Sequence, residues 1–182
     1  MKLLDLSFKN AMMLKQERQL SAEKLDPDLR VDRVLNTMKS DLRLTTPPKH
    51  IECFDNSNFQ GTYPVSACVV FKNGKPAKNE YRHFNVRTVE GPDDFATMKE
   101  ALTRRYTRLL EEDKPLPQLI VVDGGKGQLS AAVEALKAIG VYGKLAVVGI
   151  AKRLEEIYYP GDPLPMYIDK KSETLKVIQH MR

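Results

Sequence analysis

Long apolar runs are missing from this sequence. The longest, Leu145 to Ala151 and Leu119 to Val122, are strand-sized, which excludes a bilayer-crossing helix. Asp5 and Lys9 interrupt any apolar core at the N-terminus, so no secretory signal peptide is read there. Cysteine is scarce. Cys53 and Cys68 sit in apolar, strand-like stretches without CxxC spacing, a pattern that fits buried thiols in a reducing compartment better than a disulfide. The three histidines, His50, His83 and His180, are far apart in the chain and form no zinc signature. Glycine is absent before residue 49, so the first part of the chain carries no glycine turn signal. A cytoplasmic protein with no membrane partner is expected.

What is present is an ordinary globular balance, 42% hydrophobic and 29% charged over 182 residues, enough for one full-sized domain with a helical appendage. The net charge of +5 leans toward an anionic partner. Basic residues cluster as Arg82, His83 and Arg87; Arg104, Arg105 and Arg108; Lys152 and Arg153; and Lys170 and Lys171. Each cluster alone reads as a solvated face, and together they make a surface for a nucleic-acid backbone.

Residues 1–48 show helix-period spacing. Leu3, Leu4, Leu6, Phe8, Met12, Met13 and Leu14 mark one amphipathic helix, broken at Asp26-Pro27. Asp28 to Leu42 reads as a second, and Thr45-Thr46-Pro47-Pro48 as an extended linker. The expectation is a helical hairpin packed on the main domain, which occupies 49–182.

From residue 50 the pattern turns to strands. Ile51 to Phe54, Val65 to Phe71 and Glu80 to Val86 form an expected antiparallel meander, with Asn73-Gly74-Lys75 as a hairpin turn. A helix follows from about Asp94 to Leu110. Leu119 to Val122 is a fully apolar strand of the kind buried inside a sheet, and a helix runs from there to about Ile139. Ala146 to Ile150 is the fifth strand. Glu155 to Tyr159 and Met166 to Ile168 read as a small separate hairpin, and Ser172 to His180 as a final helix capped by Ser172 or Thr174.

Three aspartates stand where structure alone has little use for them. Asp55 ends one apolar strand, Asp123 ends another, and Asp94 opens a helix, where either it or Asp93 is a natural N-cap. If the first and fourth strands are neighbours, their ends converge, and the helix after the third strand can bring its first turn to the same edge. Carboxylates gathered there repel unless a cation neutralises them, and Mg²⁺ or Mn²⁺ suits an all-oxygen site. Such a site is suited to phosphodiester hydrolysis. The run Asp123-Gly124-Gly125-Lys126-Gly127-Gln128 lacks the spacer and the Ser or Thr of a nucleotide P-loop. Lys126 is placed instead to meet a nucleic-acid phosphate, Gln128 to orient the carboxylates or the scissile group, and Lys152 to touch phosphate from the same sheet edge.

Ile51-Glu52-Cys53-Phe54-Asp55, Gly61-Thr62, Ser66-Ala67-Cys68-Val69-Val70-Phe71, Tyr81-Arg82, Gly91-Pro92-Asp93-Asp94-Phe95, Arg104-Arg105-Tyr106 and Val122-Asp123-Gly124-Gly125-Lys126-Gly127-Gln128 together resemble the family of C subunits of the bacterial UvrABC excinuclease. The likeness runs from about residue 50 to Val177-Ile178-Gln179-His180, and residues 1–48 resemble the connecting region that precedes the family's nuclease half.

The resemblance implies an α/β fold similar to ribonuclease H, a mixed five-stranded sheet flanked by helices. It also implies a metal-dependent endonuclease making the 5′ incision at damaged double-stranded DNA in nucleotide excision repair, with the A and B subunits as partners. By motif, Asp55 and Asp123 match the metal-site carboxylates and Asp94 a third acidic position of catalysis, while Lys126, Gln128, Lys152, Arg104 and Arg105 are expected to hold the DNA backbone.

The sequence departs from the family at Asn56, usually hydrophobic, and at Asn58, usually histidine. The family's catalytic histidine lies a few residues past its Ile-Gln-His-Ile-Arg-type motif, beyond Arg182, and His180 does not substitute for it. The expectation is a fragment of a longer chain that also carries the paired helix-hairpin-helix module, the N-terminal nuclease domain and the B-subunit contact. The alternative is a non-catalytic module of the same fold that only docks DNA or a partner.

Overall fold

The computed structural model describes residues 2–57, 64–86, 93–152 and 155–182, with side chains from Leu4 onward. Asn58, Gly61-Thr62, Arg87, Gly91-Pro92 and Arg153, and the Leu3 side chain, therefore lie outside the described residues.

Two helices come first, α1 (Lys2–Leu25) and α2 (Pro27–Asp41). Pro27 fixes the start of α2, and the Asp26 side chain accepts from the Asp28 N–H as its cap. A strand β1 (His50–Ser57) pairs antiparallel with β2 (Val65–Lys72). Two short strands, β3 (Lys75–Pro76) and β4 (Arg82–Asn85), both lie along β2, separated by a 3₁₀ turn at Lys78–Glu80. Then come α3 (Asp94–Glu111), β5 (Leu119–Asp123), α4 (Lys126–Ala138), β6 (Ala146–Ala151), β7 (Glu156–Tyr158) and α5 (Glu173–Met181).

These strands make one seven-stranded mixed sheet in the order β3-β2-β1-β5-β6-β7, with β4 also on β2. The five-stranded expectation is thus corrected at both edges. The expected third strand is β4, and an extra two-residue strand, β3, forms on β2 before it, directly after the Asn73-Gly74 turn. The hairpin read as separate joins the sheet, since β7 pairs antiparallel with β6 and Ile157 bridges Met166. At the centre β5 is parallel to both β1 and β6 and is buried along its whole length, which is why Leu119 to Val122 shows no polar alternation.

Apolar side chains fill both faces of the sheet. On one, Phe54, Val70, Ile120 and Val122 pack against Met98, Leu102 and Leu136 of α3 and α4. On the other, Ile51, Phe71, Val121 and Ile150 pack against Leu35 and Met38 of α2 and Ile178 of α5. Full burial of each such side chain contributes about 1.5–3 kcal/mol. Cys53 and Cys68 belong to opposite faces and are both free thiols.

The expected hairpin of helices packs unevenly. α2 forms a wall of the second core layer, whereas Leu4, Phe8, Met13 and Leu25 of α1 are exposed. The end of α1 is clasped by Arg33 of α2, which pairs with Glu23 of α1 and Glu173 of α5. No helix among the described residues is long and apolar enough to cross a membrane.

Candidate active site

β1 and β5 run parallel with Phe54 opposite Val122, so the next residue on each strand, Asp55 and Asp123, comes to the same end of the sheet. One nitrogen measures their closeness. The Lys152 ammonium, just past β6, lies 3.5 Å from Asp55 Oδ1 and 3.0 Å from Asp123 Oδ2. The Asp123 side chain is only 1% exposed, Asp55 is 39% exposed and Lys152 61%. A buried acid, a half-open acid and an open cation therefore form a graded edge from core to solvent.

Asp123 is the anomaly. A buried carboxylate normally collects several hydrogen bonds, but neither of its oxygens accepts one. The contact with Lys152 is an ion pair without hydrogen-bond geometry, and Arg182 Nε stands 3.5 Å from Oδ1. Arg182 is itself held by Glu155, 2.9 Å away, and Glu155 also accepts from Gln179. Asp123 and, secondarily, Asp55 raise the Lys152 ammonium above the usual lysine range against the opposing effect of burial. The same two acids add to the burial that pushes the neighbouring Cys53 thiol up, which leaves it an inert core group.

Asp94 arrives by a different route. Asp93, not Asp94, caps α3, its carboxylate accepting from the N–H groups of Phe95 and Ala96 at 3.0 Å. Asn56 Nδ2 then donates to the Asp94 carbonyl at 2.8 Å, tying the first turn of α3 to the residue after Asp55. The departure from a hydrophobic residue at position 56 thus has a local use. Among the described residues no three His, Cys, Asp or Glu side chains form a metal-sized group, so the described acids converge as the Asp55–Asp123 pair.

The glycines after Asp123 serve close approach. A Cβ on Gly124 would lie 2.8 Å from the Gln128 side chain, and one on Gly127 would lie 2.5 Å from the ring of Phe95. Gly127 therefore lets the first turn of α3 press against α4, while Gln128 folds over Gly124. The Gly124 N–H donates to the Ile150 carbonyl at 2.9 Å, locking the turn to β6.

The basic residues separate into several environments. Lys126 donates to the Pro163 carbonyl and stands 5.4 Å from the centre of the Tyr158 ring, so in this structure its ammonium faces the β7 hairpin. Arg104 remains half-open, donating to the Asn85 carbonyl and lying over Phe84. Arg105 requires a correction. Its guanidinium is interior, donating to both oxygens of Glu52 at 2.5 and 3.2 Å, and it is not available to a DNA phosphate. Tyr106 also donates to Glu52, at 2.9 Å. Burial works to raise the Glu52 pKa, but hydrogen bonds from His50, Arg105 and Tyr106 outweigh it and hold the group at about 2.

Sequence reading missed Glu52 and Arg182 here and gave Arg105 another role. Arg105 had a signal, since it falls on the helical face of Met98, Leu102 and Leu109. Glu52 looked like an ordinary polar alternation, and Arg182 reaches Asp123 only through the fold.

Comparison with known proteins finds relatives of the chain. The family described as "UvrC RNAse H endonuclease domain" matches residues 39–182. The UvrABC system protein C of Flavobacterium johnsoniae is 62% identical over 180 residues, covering 99% of this chain and 30% of that protein. The protein of the same name from Porphyromonas gingivalis strain W83 is 61% identical over 181 residues, with 100% and 30% covered. The chain thus spans 30% of the length of these relatives. Among solved structures, Ciona intestinalis Endonuclease V in complex with an inosine-containing DNA aligns with a TM-score of 0.43 at 21% identity, covering 90% of this chain and 67% of that one. Human ENDOV aligns with a TM-score of 0.40 at 17% identity, covering 68% and 58%.

Proposed function

Given that the chain belongs to the UvrC RNase H endonuclease domain family, we propose that it is the metal-dependent nuclease part of an excinuclease and makes the 5′ incision at damaged double-stranded DNA. Its proposed partners are the A and B subunits, and its proposed compartment is the cytoplasm. Within it we divide a helical connecting segment, 1–48, from the nuclease domain, 49–182.

One observation carries the reading: a buried carboxylate, Asp123, with no hydrogen bond on either oxygen, beside a second carboxylate at a sheet edge. Carboxylate oxygens left without a hydrogen bond in this way suit a hard divalent cation. We assign Asp55 and Asp123 to hold Mg²⁺ or Mn²⁺, with Asp94 as the third acidic position. When bound, such an ion supplies Lewis-acid charge neutralisation to phosphodiester hydrolysis.

The chain's own groups do the rest. β5, rigid between two parallel neighbours, fixes Asp123, and Asn56 keeps α3 and Asp94 registered to Asp55. Arg104, Lys126, Gln128 and Lys152 are assigned to the DNA backbone, where contacts are sequence-independent and weaken with salt.

The test is the 5′ incision of end-labelled damaged duplex DNA, read apart from any other cut, by the full-length protein with its A and B subunits. Asp123→Asn and Asp55→Asn are each expected to lower the incision rate by roughly 10³-fold or more, with complex assembly on DNA retained. Undiminished incision would leave the domain as a docking module only.

A further inference from the structure

The two cations at Asp123 are not equivalent. Arg182 is 13% exposed and doubly engaged, with Asp123 on one side and Glu155 at 2.9 Å on the other. Lys152 is 61% exposed, sits in the turn after β6, and has no ion-pair or hydrogen-bond partner among the described residues except Asp55 and Asp123. One cation is built into the wall, and the other is laid across the opening.

Lysine suits that second place. Its charge is a compact point on a flexible stem, without the fork that fixes a guanidinium to one partner. It touches the two acids that would repel each other if left alone, and it reaches them from the solvent side, where any ion must enter.

We propose that Lys152 is an internal counter-cation for the Asp55–Asp123 pair, which a divalent ion displaces on entry. This rests on the reading of that pair as the metal site. Before the ion binds, the ammonium neutralises the pair and holds the edge together. After it binds, the double charge takes over both carboxylates, and the ammonium swings outward on its stem to the edge along which a phosphodiester would lie. The lysine is a positioning residue that couples ion entry to readiness for DNA, while Arg182 stays on Asp123 throughout.

The experiment is calorimetric titration of the whole chain with Mn²⁺ in the absence of DNA. Lys152→Met is expected to bind the ion about tenfold more tightly than the unsubstituted chain, because no ammonium has to leave. Lys152→Arg is expected to keep the unsubstituted affinity or to weaken it. Affinity that is unchanged or lowered in Lys152→Met overturns the proposal.

Should Lys152→Met fail to fold, the unsubstituted chain gives the answer. Acetylation of Lys152 by acetic anhydride, followed by mass spectrometry against Lys144 as internal reference, is expected to rise severalfold on adding Mn²⁺, and no rise overturns the proposal. Asp123→Asn separates the two readings. If it removes Mn²⁺ binding while Lys152→Met leaves affinity unaltered, only the counter-cation fails. If Asp123→Asn binds Mn²⁺ like the unsubstituted chain, the metal site fails and the counter-cation with it.

Discussion

Glu52 and Asp123 are two buried acids on neighbouring strands of one sheet, and they are treated in opposite ways. Glu52, three residues before Asp55, is fully enclosed and receives Arg105 on both oxygens, Tyr106 and His50. Asp123 is nearly as enclosed and accepts no hydrogen bond on either oxygen, facing two cations instead. The first acid is completed by the fold. The second is left incomplete, at a sheet edge where a ligand can finish it. The difference separates an acid that holds the molecule together from one that we propose is kept for chemistry, though both look alike in burial.

Matched amide substitutions test whether the two acids differ in this way. Glu52→Gln leaves the Arg105 guanidinium buried without its counter-charge and is expected to cost about 3–5 kcal/mol, read as a fall in the urea midpoint. Asp123→Asn removes the repulsion with Asp55 together with the attraction to Lys152 and Arg182, each of which keeps a second acid, and is expected to change stability by less than about 1 kcal/mol. Equal losses from the two would break the distinction.

Acid titration gives a smaller and graded effect. Because Glu52 is held at about 2, below its ordinary 4.5, its stabilisation is complete above pH 4.5 and declines as pH falls toward 2. Glu52→Gln is therefore expected to flatten the pH dependence of stability across that window. At the bottom of the scale, Lys99→Ala breaks an exposed pair with Glu134 and is expected to move stability by no more than about 0.5 kcal/mol.

Much of this architecture is legible in the chain itself. Leu119 to Val122 is apolar without alternation because both faces of β5 are covered, and the aspartates closing β1 and β5 stand out against those runs. Asp55 and Asp123 could thus be paired from sequence once the two strands were taken as neighbours. Arg105 was misread because Arg104, Arg105 and Arg108 look like one basic cluster, although helical phase puts Arg105 inward with Leu102 and Arg108 outward. Glu52 and Arg182 were not legible at all, since Arg105 and Tyr106 for the one and Asp123 for the other are far away in the sequence and meet them only in the fold. The extra strand β3 at Lys75–Pro76 and the recruitment of β7 to the sheet depend on edge pairing that short polar segments do not advertise.

The claim beneath all of this is that the carboxylates ending β1 and β5 share one divalent ion. Crystals of the chain soaked in Mn²⁺ and measured at the manganese absorption edge test it directly. An anomalous peak is expected in contact with oxygens of both Asp55 and Asp123, with the Lys152 ammonium moved off them. A peak elsewhere, or Lys152 still seated on both carboxylates at saturating Mn²⁺, would contradict it.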